Sequence, residues 1–388
     1  MDRKRKSLQV VLSIVLCSSF FLAAPSAWAW KSASQVTRKE KLPYRPQWVS
    51  VVKKGRLFKY KRKEFSSPRI YGDDVFIGAD GGYFYAMKKK NGKKLWRFKT
   101  NGPVNSAPAF SSDAGGSSVY FGDDEGILYA LNSMDGKLRW KTALDSEILA
   151  EPAVKGNRVY VSSIEGRTYA IATEDGHVVW TNEHPLDGMK MSIRGNTPPV
   201  LDPSSDQLYV GFADGILRCL TASSGKVLWE KTFQKNGHGF TDIDGAPLID
   251  GDRLYVAGFE TGLFALSKKT GQFLWNQTAG SGVALRIRGE TLFVSGSDGR
   301  LYAYQKKDGT KLWDKKLGDG ALTAPVIYDD LIAVGLSNET MNFVDATDGH
   351  VIARRFARKG VFSDPIVDEN RIYYLSNGGR LYSLRLLR

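Results

Sequence analysis

The feature that most constrains the fold of this chain is a phrase of fifteen residues that recurs along it at nearly regular intervals. Each copy runs from a turn glycine, through a strand in which tyrosine and alanine alternate with aliphatic residues, to a tryptophan. The clear copies are residues 82–96, 126–140, 166–180, 215–229 and 299–313, with a looser one at 261–275, a degenerate one at 339–353 and an eighth start at Gly379. The starts are 38 to 49 residues apart, which is the spacing of propeller blades built from four short strands.

Within each copy, the residue types indicate strands joined by tight turns. The first glycine tolerates the positive φ that a hairpin between the second and third strands requires. A second Gly-containing turn follows the third strand, and the tryptophan of the outer strand comes four residues later, where its flat indole can cover the seam between blades. The third strand carries a small residue in one slot of every regular copy, which favours close packing: Ala86, Ala130, Ala170, Cys219, Ala265, Ala303 and Ser383.

Prolines and the two ends of the repeat region complete the prediction of the fold. A proline marks the start of the first strand in all units but one, where Leu285 stands instead, because a strand start needs no ladder donor. The eighth unit supplies only three strands, and residues 46–51 have the tryptophan and the alternation of an outer strand. We therefore predict an all-β, eight-bladed β-propeller of four-stranded antiparallel blades. Its ring is closed by this N-terminal strand, which removes the exposed edges of an open sheet.

The segment ahead of the propeller has the pattern of a secretory signal. Residues 3–6 are basic, residues 8–24 are mostly apolar, and Ala27 and Ala29 form a small-x-small cleavage pattern. A lipoprotein signal with Cys17 as the lipidated residue is the alternative, but bulky Leu16 and the apolar residues after Cys17 are atypical of one. Both interpretations remain open. We predict a signal peptide at 1–29, a basic N-terminal segment at 30–45, a single propeller domain at 46–388, and export to the periplasm.

Charge and cysteine content restrict the partners and the chemistry. The chain of 388 residues has a formal net charge of +14, and +11 without residues 1–29. Only Cys219 then remains, so no intramolecular disulfide can form. Basic clusters at residues 53–63 and 88–94 are expected on one rim, where they could attract an anionic membrane surface; a merely soluble basic surface is the alternative. Nucleic acid is not expected, because the chain is exported and has no aromatic-basic platform.

Enzyme signatures are absent from the sequence. Its four histidines, His177, His184, His238 and His350, are predicted to lie in turns and have no metal-ligand spacing. No Gly-x-Ser-x-Gly elbow, P-loop or dinucleotide fingerprint is present. The sequence therefore predicts neither a catalytic site nor a bound metal or cofactor.

Two levels of resemblance to known families follow from these motifs. The Gly-x-Leu-Tyr-Ala-Leu strand with its Gly-x-x-x-Trp continuation resembles the pyrroloquinoline-quinone-type propeller repeat, which fixes the fold and not the function. Quinone-dependent dehydrogenases with this repeat are longer and use an adjacent cysteine pair, which this chain lacks. Residues 189–195, Met-Lys-Met-Ser-Ile-Arg-Gly, and residues 241–245, Thr-Asp-Ile-Asp-Gly, lie in consecutive connections. Together they resemble the paired loops of the BamB family of outer-membrane assembly propellers.

This resemblance implies a partner site. In the family, the two loops engage a periplasmic domain of the barrel-inserting protein BamA, which assigns partner contact to Met191, Ile193, Arg194, Asp242 and Asp244. An aliphatic pair beside an arginine suits an interface anchor, and the acidic pair can orient that arginine or face a basic partner. The alternative is that the aliphatic pair belongs to a strand and the aspartates cap turns.

The resemblance also implies a function. We expect a non-enzymatic periplasmic scaffold that assists the assembly and insertion of β-barrel proteins. It would work as a monomer within a complex at the inner face of the outer membrane, with a lipid anchor left open. A propeller that binds a quinone or another ligand, and a generic periplasmic interaction platform, are the alternatives.

Overall fold

Strands and tight turns make up the whole of the described molecule. The computed structural model describes residues 42–52, 66–113, 116–184, 197–233, 243, 245–258, 262–277 and 282–387, apart from the side chains of residues 113 and 283. These residues form 32 strands and no helix, and the strands make eight sheets of four strands each. The predicted all-β, eight-bladed propeller is confirmed. The signal peptide and most of the basic N-terminal segment lie outside the described residues.

The strand bounds follow the repeat along the chain. The N-terminal strand is β1 (Tyr44–Val51). Blade 1 contains β2 (Arg69–Tyr71), β3 (Asp74–Ala79), β4 (Tyr83–Lys88) and β5 (Lys94–Lys99). Blade 2 contains β6 (Ala109–Asp113), β7 (Gly116–Gly122), β8 (Ile127–Asn132) and β9 (Leu138–Ala143). Blade 3 contains β10 (Ala153–Lys155), β11 (Arg158–Ser162), β12 (Arg167–Ala172) and β13 (Val178–Glu183). Blade 4 contains β14 (Val200–Leu201), β15 (Gln207–Gly211), β16 (Ile216–Thr221) and β17 (Val227–Thr232).

The second half repeats this order. Blade 5 contains β18 (Leu248–Asp250), β19 (Arg253–Gly258), β20 (Gly262–Ser267) and β21 (Phe273–Gln277). Blade 6 contains β22 (Gly282–Arg288), β23 (Thr291–Gly296), β24 (Arg300–Gln305) and β25 (Lys311–Lys316). Blade 7 contains β26 (Val326–Tyr328), β27 (Leu331–Gly335), β28 (Thr340–Asp345) and β29 (Val351–Phe356). Blade 8 contains β30 (Ile366–Asp368), β31 (Arg371–Ser376), β32 (Arg380–Leu386) and, as its outer strand, β1.

The N-terminal strand closes the ring as predicted. It pairs antiparallel with β32 along its whole length, from Tyr44 opposite Leu386 to Val51 opposite Arg380. Beyond the strand, the Val52 amide donates to the Gly379 carbonyl at 2.9 Å. The two ends of the described chain are therefore joined in one sheet, although the strand already begins at Tyr44 and not at Pro46.

The repeat proline limits the length of each first strand, and the exception shows why. In seven blades, the first strand starts directly after the proline and contains two to five residues. Blade 6 has Leu285 at this place, and its first strand β22 contains seven residues and pairs with β23 on both sides of Leu285. Leucine has the backbone N–H that proline lacks, so the ladder continues through it.

Each tryptophan of an outer strand packs under the second turn of the following blade. Trp96, for example, donates its indole N–H to the Ser133 carbonyl at 3.2 Å. A Cβ added to Gly136 in that turn would lie 2.6 Å from the Trp96 ring. The same contact recurs where Trp48, Trp140, Trp180, Trp229, Trp275 and Trp313 meet Gly92, Gly176, Gly225, Gly271, Gly309 and Gly349. The glycine is thus required by the indole beneath it as well as by its positive φ.

The small slot of the third strand lies directly opposite this tryptophan. Ala130 pairs with Trp140, and Cys219 pairs with Trp229 in the same register. Both small residues are fully buried. A small side chain leaves room for the indole that crosses the sheet at this pair, which confirms that Cys219 is a core residue.

Candidate functional site

The predicted partner residues lie outside the described part of the chain. This holds for Met191, Ile193, Arg194, Asp242 and Asp244. Residues on both sides of the two segments are described, however, and they define where each connection leaves and enters the ring. The first connection runs from blade 3 to blade 4, between His184 and Thr197, and the second runs from blade 4 to blade 5 through Ile243.

Both connections are fixed to the same residue, Gly211, at the end of β15. The Thr197 hydroxyl accepts a hydrogen bond from the Gly211 amide at 2.9 Å. The Ile243 amide lies 3.5 Å from the Phe212 carbonyl, which accepts its hydrogen bond. A Cβ added to Gly211 would lie 2.9 Å from the Ile243 side chain and 3.1 Å from Thr197. The ends of the two connections therefore meet in one contact, and we call Thr197, Gly211 and Ile243 the blade 4 node.

The same node occurs in other blades, so it belongs to the fold. In blade 7, the Gly335 amide donates to the Thr323 hydroxyl at 2.9 Å, and a Cβ on Gly335 would lie 2.8 Å from Val361. Blades 1 and 2 have equivalent nodes, formed by Ser66, Gly78 and Val104, and by Ser106, Gly122 and Ile148. What distinguishes blade 4 is the sequence of the connections that its node holds.

The sequence contained a signal for this node that pattern reasoning missed. The hydroxyl residue stands two positions before the repeat proline, as Thr197 does before Pro199 and Thr323 before Pro325. Ile243, between the two aspartates of the second connection, supplies the aliphatic contact of the node. In the structure it is buried, with 1% of its surface exposed, in the core between blades 4 and 5.

A buried histidine strengthens the seam below the first connection. His184 Nε2 lies 2.6 Å from a carboxylate oxygen of Asp214, in the hairpin between β15 and β16. Its ring packs on Phe212 with 4.4 Å between centroids. His184 lies outside the strands, directly after β13, as the sequence predicts, but its side chain is buried between two blades. His177 and His350 do lie in or beside turns, and His238 lies outside the described residues.

Arg218 adds a cationic side chain to this seam. It occupies the slot that holds tyrosine or phenylalanine in most blades, and its guanidinium lies 5.6 Å from the centre of the Phe212 ring. It donates to the Glu183 carbonyl at 2.9 Å and to a carboxylate oxygen of Glu230 at 2.7 Å. Blades 3 and 4 are therefore joined by polar contacts directly below the first connection.

Neither a metal centre nor a reactive thiol is visible in the described residues. Within them, no group of three or more histidine, cysteine, aspartate or glutamate side chains could hold a metal ion. Burial raises the pKa of the Cys219 thiol to about 12, so the thiol stays protonated at neutral pH. The described residues also contain no helix that is long and apolar enough to span a bilayer.

The two basic clusters, at residues 53–63 and 88–94, were predicted to share one rim of the ring. Lys89 lies in the turn between β4 and β5, and its amide bonds to the Asp73 carbonyl at that end of the strands. Val52 and Ser66, which bracket the cluster at 53–63, bond to the opposite end, at Gly379 and Gly78. The expectation that both clusters share one rim is therefore not supported by their attachment points. Residues 53–63 themselves lie outside the described chain.

Fold and site together define a class, an eight-bladed propeller of tryptophan-terminated repeats in which one blade anchors two non-repeat connections. A comparison with protein-family models matches residues 111–315 and 308–387 to the family described as outer membrane protein assembly factor BamB. The matched residues include both connections of blade 4. The chain belongs to the BamB family.

Individual relatives agree with this assignment. The chain is 33% identical to the outer membrane protein assembly factor BamB of Vibrio cholerae over 327 residues, which cover 82% of this chain and 84% of that protein. It is 27% identical to BamB of Shewanella oneidensis over 248 residues, which span only 60% of that relative's length. Among solved structures, BamB from Moraxella catarrhalis matches with a TM-score of 0.73 and 23% identity, over 84% of this chain and 98% of that one. At that identity, the structural match shows the fold alone.

Proposed function

We propose that this protein is a scaffold in the assembly of outer membrane proteins and that it docks on a periplasmic domain of a BamA-like protein through the two connections of blade 4. Its relatives in Shewanella oneidensis and Vibrio cholerae are outer membrane protein assembly factors, which supports the process. The observation that carries the docking surface is the blade 4 node, at which both connections are attached to Gly211.

Chain connectivity limits how far the proposed contact residues can lie from this node. Asp242 and Asp244 each adjoin Ile243, so their Cα atoms are about 4 Å from its Cα. Arg194 is three residues from Thr197, which limits their Cα separation to about 11 Å. These limits support our proposal that the acidic pair and the arginine contribute to one patch of a size that a single partner domain can cover.

The seam below the first connection supports a fixed docking surface. The buried pair of His184 and Asp214 ties the residue before this connection to the blade 4 hairpin. Phe212 in the same hairpin accepts the hydrogen bond of Ile243. A surface whose supports are packed loses less conformational entropy on binding, which favours affinity. We infer that Met191 and Ile193 supply the apolar anchor and that Arg194 supplies the central charged contact.

A scaffold role agrees with the relatives, which are named as assembly factors. We propose that the protein has no catalytic activity and works in the periplasm at the inner face of the outer membrane, as a monomer within a complex. The competing hypothesis, a quinone-binding propeller, predicts a spectral change when pyrroloquinoline quinone and calcium are added. An unchanged spectrum is the result that we expect.

Binding of the purified chain to the periplasmic domains of a BamA-like protein tests the docking surface. Arg194→Glu should weaken binding by about 30-fold or more, since truncating a hot-spot residue costs about 2 kcal/mol or more. Arg358→Glu is the control, because Arg358 is an exposed arginine in another connection between blades, the one from blade 7 to blade 8. Equal affinities of the two variants would contradict the proposal.

A second pair of variants separates docking from stability. Ile243→Ala and Val361→Ala remove the aliphatic residue from the nodes of blades 4 and 7, and both should lower the free energy of unfolding by about 1–4 kcal/mol. Only Ile243→Ala should also weaken partner binding, because only the blade 4 node holds the proposed contact residues. If Val361→Ala weakens binding as much, the effect is a general loss of stability.

Contact with an anionic membrane surface is a further part of the proposal, carried by the exposed cations of β5. Lys94 lies 4.6 Å from the centre of the Tyr85 ring, and Lys99 and Arg97 lie 4.8 and 5.2 Å from that of Tyr83. We expect binding to vesicles with anionic lipid that disappears at about 0.5 M salt, where exposed charges are screened. A triple change of these cations to glutamine should abolish it, and retained binding would contradict this part.

A further inference from the structure

The first strands of the blades meet around the axis of the ring, and two arginines lie there. Their position is the one directly after the repeat proline or its substitute, as Arg69 follows Pro68 and Arg286 follows Leu285. In the other six blades, this position holds an apolar residue: Ala109, Ala153, Val200, Leu248, Val326 and Ile366. The two arginines are therefore departures from the repeat, one in blade 1 and one in blade 6.

Arg69 shows how an arginine at this position binds a carboxylate. Its Nη1 donates to the carbonyl of the preceding residue, Pro68, at 3.0 Å. The other edge of the guanidinium takes the Glu151 carboxylate with two hydrogen bonds, from Nε to Oε1 at 2.8 Å and from Nη2 to Oε2. Glu151 precedes Pro152 in blade 3, so the ion pair reaches across the axial surface of blade 2.

Arg286 has the same backbone anchor with its other edge open. Its Nη1 donates to the carbonyl of the preceding residue, Leu285, at 2.8 Å. Among the described residues, no carboxylate forms an ion pair with Arg286, and its Nε and Nη2 make no hydrogen bond. The side chain remains exposed towards the axis. Partial desolvation by the ring, together with the positive charge of Arg69, lowers its pKa.

Asp364 occupies the position relative to Arg286 that Glu151 occupies relative to Arg69, but it forms no ion pair with Arg286. It precedes Pro365 in blade 8, two blades beyond Arg286, as Glu151 is two blades beyond Arg69. Its side chain is one methylene shorter than that of Glu151, and its Oδ1 accepts the Ala324 amide at 2.8 Å. The Nε and Nη2 edge of Arg286 and the Oδ2 atom of Asp364 thus have no hydrogen-bond partner among the described residues, and we call the space between these groups the gap.

We propose that this gap binds a small zwitterion of the α-amino acid class. The ligand carboxylate takes the Nε and Nη2 edge of Arg286, as Glu151 does on Arg69, and the ligand ammonium donates to Oδ2 of Asp364. Charge balance favours a zwitterion over a simple anion. Arg69, Arg286, Glu151 and Asp364 already sum to zero, so an added anion would leave these four side chains with an uncompensated negative charge, whereas a zwitterion would not.

Titration of the full chain with glycine, by calorimetry or by NMR of labelled glycine, tests this site. Wild-type protein should bind glycine saturably, and acetate or methylammonium at equal ionic strength at least about tenfold more weakly. Arg286→Gln should weaken glycine binding at least about tenfold. Arg288→Gln is the matched control, since Arg288 lies in the same strand but pairs with Asp330, and it should bind as wild type does.

Two further variants keep the test decisive. Arg286→Lys keeps the charge and loses the planar fork, so it should also bind more weakly. Asp364→Asn should remove the preference for glycine over acetate, because it removes the acceptor charge for the ammonium. Absence of saturable glycine binding to the wild type, or equal binding by Arg286→Gln and Arg288→Gln, would overturn the proposal. Neither result bears on docking through blade 4, whose residues do not form this site.

Discussion

Seven of the eight seams between blades are built alike, and the seam between blades 7 and 8 is built differently. In a regular seam, a tryptophan lies opposite a small residue and under the turn glycine of the following blade, as Trp140 lies opposite Ala130 and under Gly176. In blade 7, the pair is inverted. Phe343 occupies the small slot, and Ala353 faces it in the place of the tryptophan.

The inversion shows that the tryptophan of an outer strand depends on the turn glycine of the next blade and not on the packing within its own blade. The third and fourth strands of blade 8, β32 and β1, are not consecutive in sequence, so no turn glycine joins them. An indole at position 353 would have no glycine to lie under. Tyr44 of β1 fills the space instead and stacks on Phe343 with 4.6 Å between ring centroids. Closure of the ring thus explains the degenerate seventh repeat.

Removal of the closing strand should have the largest effect on this exceptional seam. Deleting residues 44–51 exposes the edge of β32 along its length and removes Tyr44 from the core shared by blades 7 and 8. We expect the thermal transition to fall by tens of degrees or to lose its cooperativity, as measured by circular dichroism. An unchanged melting temperature would show that β1 does not hold the ring closed.

Phe343→Ala should have the next largest effect, because it empties the inverted pair. The side chain is fully buried, and such a truncation costs about 3–5 kcal/mol in the free energy of unfolding. Urea denaturation measures this cost.

The double variant Phe343→Ala, Ala353→Trp restores the regular pair without a turn glycine above it. We expect it to remain at least about 2 kcal/mol less stable than the wild type, since the indole lacks its glycine and meets Tyr44. Full recovery of stability would mean that the regular pair is sufficient by itself and that our explanation of the inversion is wrong.

Substitution of a turn glycine in a regular seam should have the next largest effect on stability. Gly136→Ala places a Cβ 2.6 Å from the Trp96 ring at a φ of +71°, and we expect a loss of about 2–4 kcal/mol from strain and overpacking. Gly156→Ala is the matched control, because Gly156 has a φ of +59° with no atom within 4 Å of the added Cβ.

The control should lose only the backbone term of about 1–2 kcal/mol. The difference in the free energy of unfolding between the two variants therefore measures the contact between the indole and the glycine. Equal losses would show that the backbone conformation, and not the indole, requires the glycine.

The sequence alone was sufficient for the blades because their residue types are fixed by local geometry. A turn at positive φ needs glycine, as at Gly136, and a proline stops a ladder, as at Pro152. The pairing of the two ends of the repeat region could be predicted, but individual side-chain contacts between distant residues left no such local signal. The stacking of Tyr44 on Phe343, across almost three hundred residues, was not foreseen, and the seventh repeat therefore remained unexplained at the sequence level.

The candidate site also combines residues that the sequence identified with contacts that only the folded chain shows. The proposed contact residues came from a resemblance of two short segments, which carries no geometry. The support for those segments came from Gly211, whose role depends on two residues that meet it only in the folded chain. The axial arginines were overlooked because Arg69 and Arg286 become special only when all eight first strands are compared around the axis.

Cys219→Ala should have the smallest effect, because five other blades already hold alanine in this slot. Cys219 is fully buried opposite Trp229, and the loss of one sulfur atom should cost about 1 kcal/mol or less. Burial also raises the pKa of its thiol to about 12, so alkylation by iodoacetamide at pH 8 should require unfolding. Ala265→Cys in blade 5, made in the Cys219→Ala background, is the matched variant, and its introduced thiol should be equally protected. Rapid alkylation of native Cys219, with the introduced thiol of blade 5 protected, would mean that blade 4 opens locally where blade 5 stays closed.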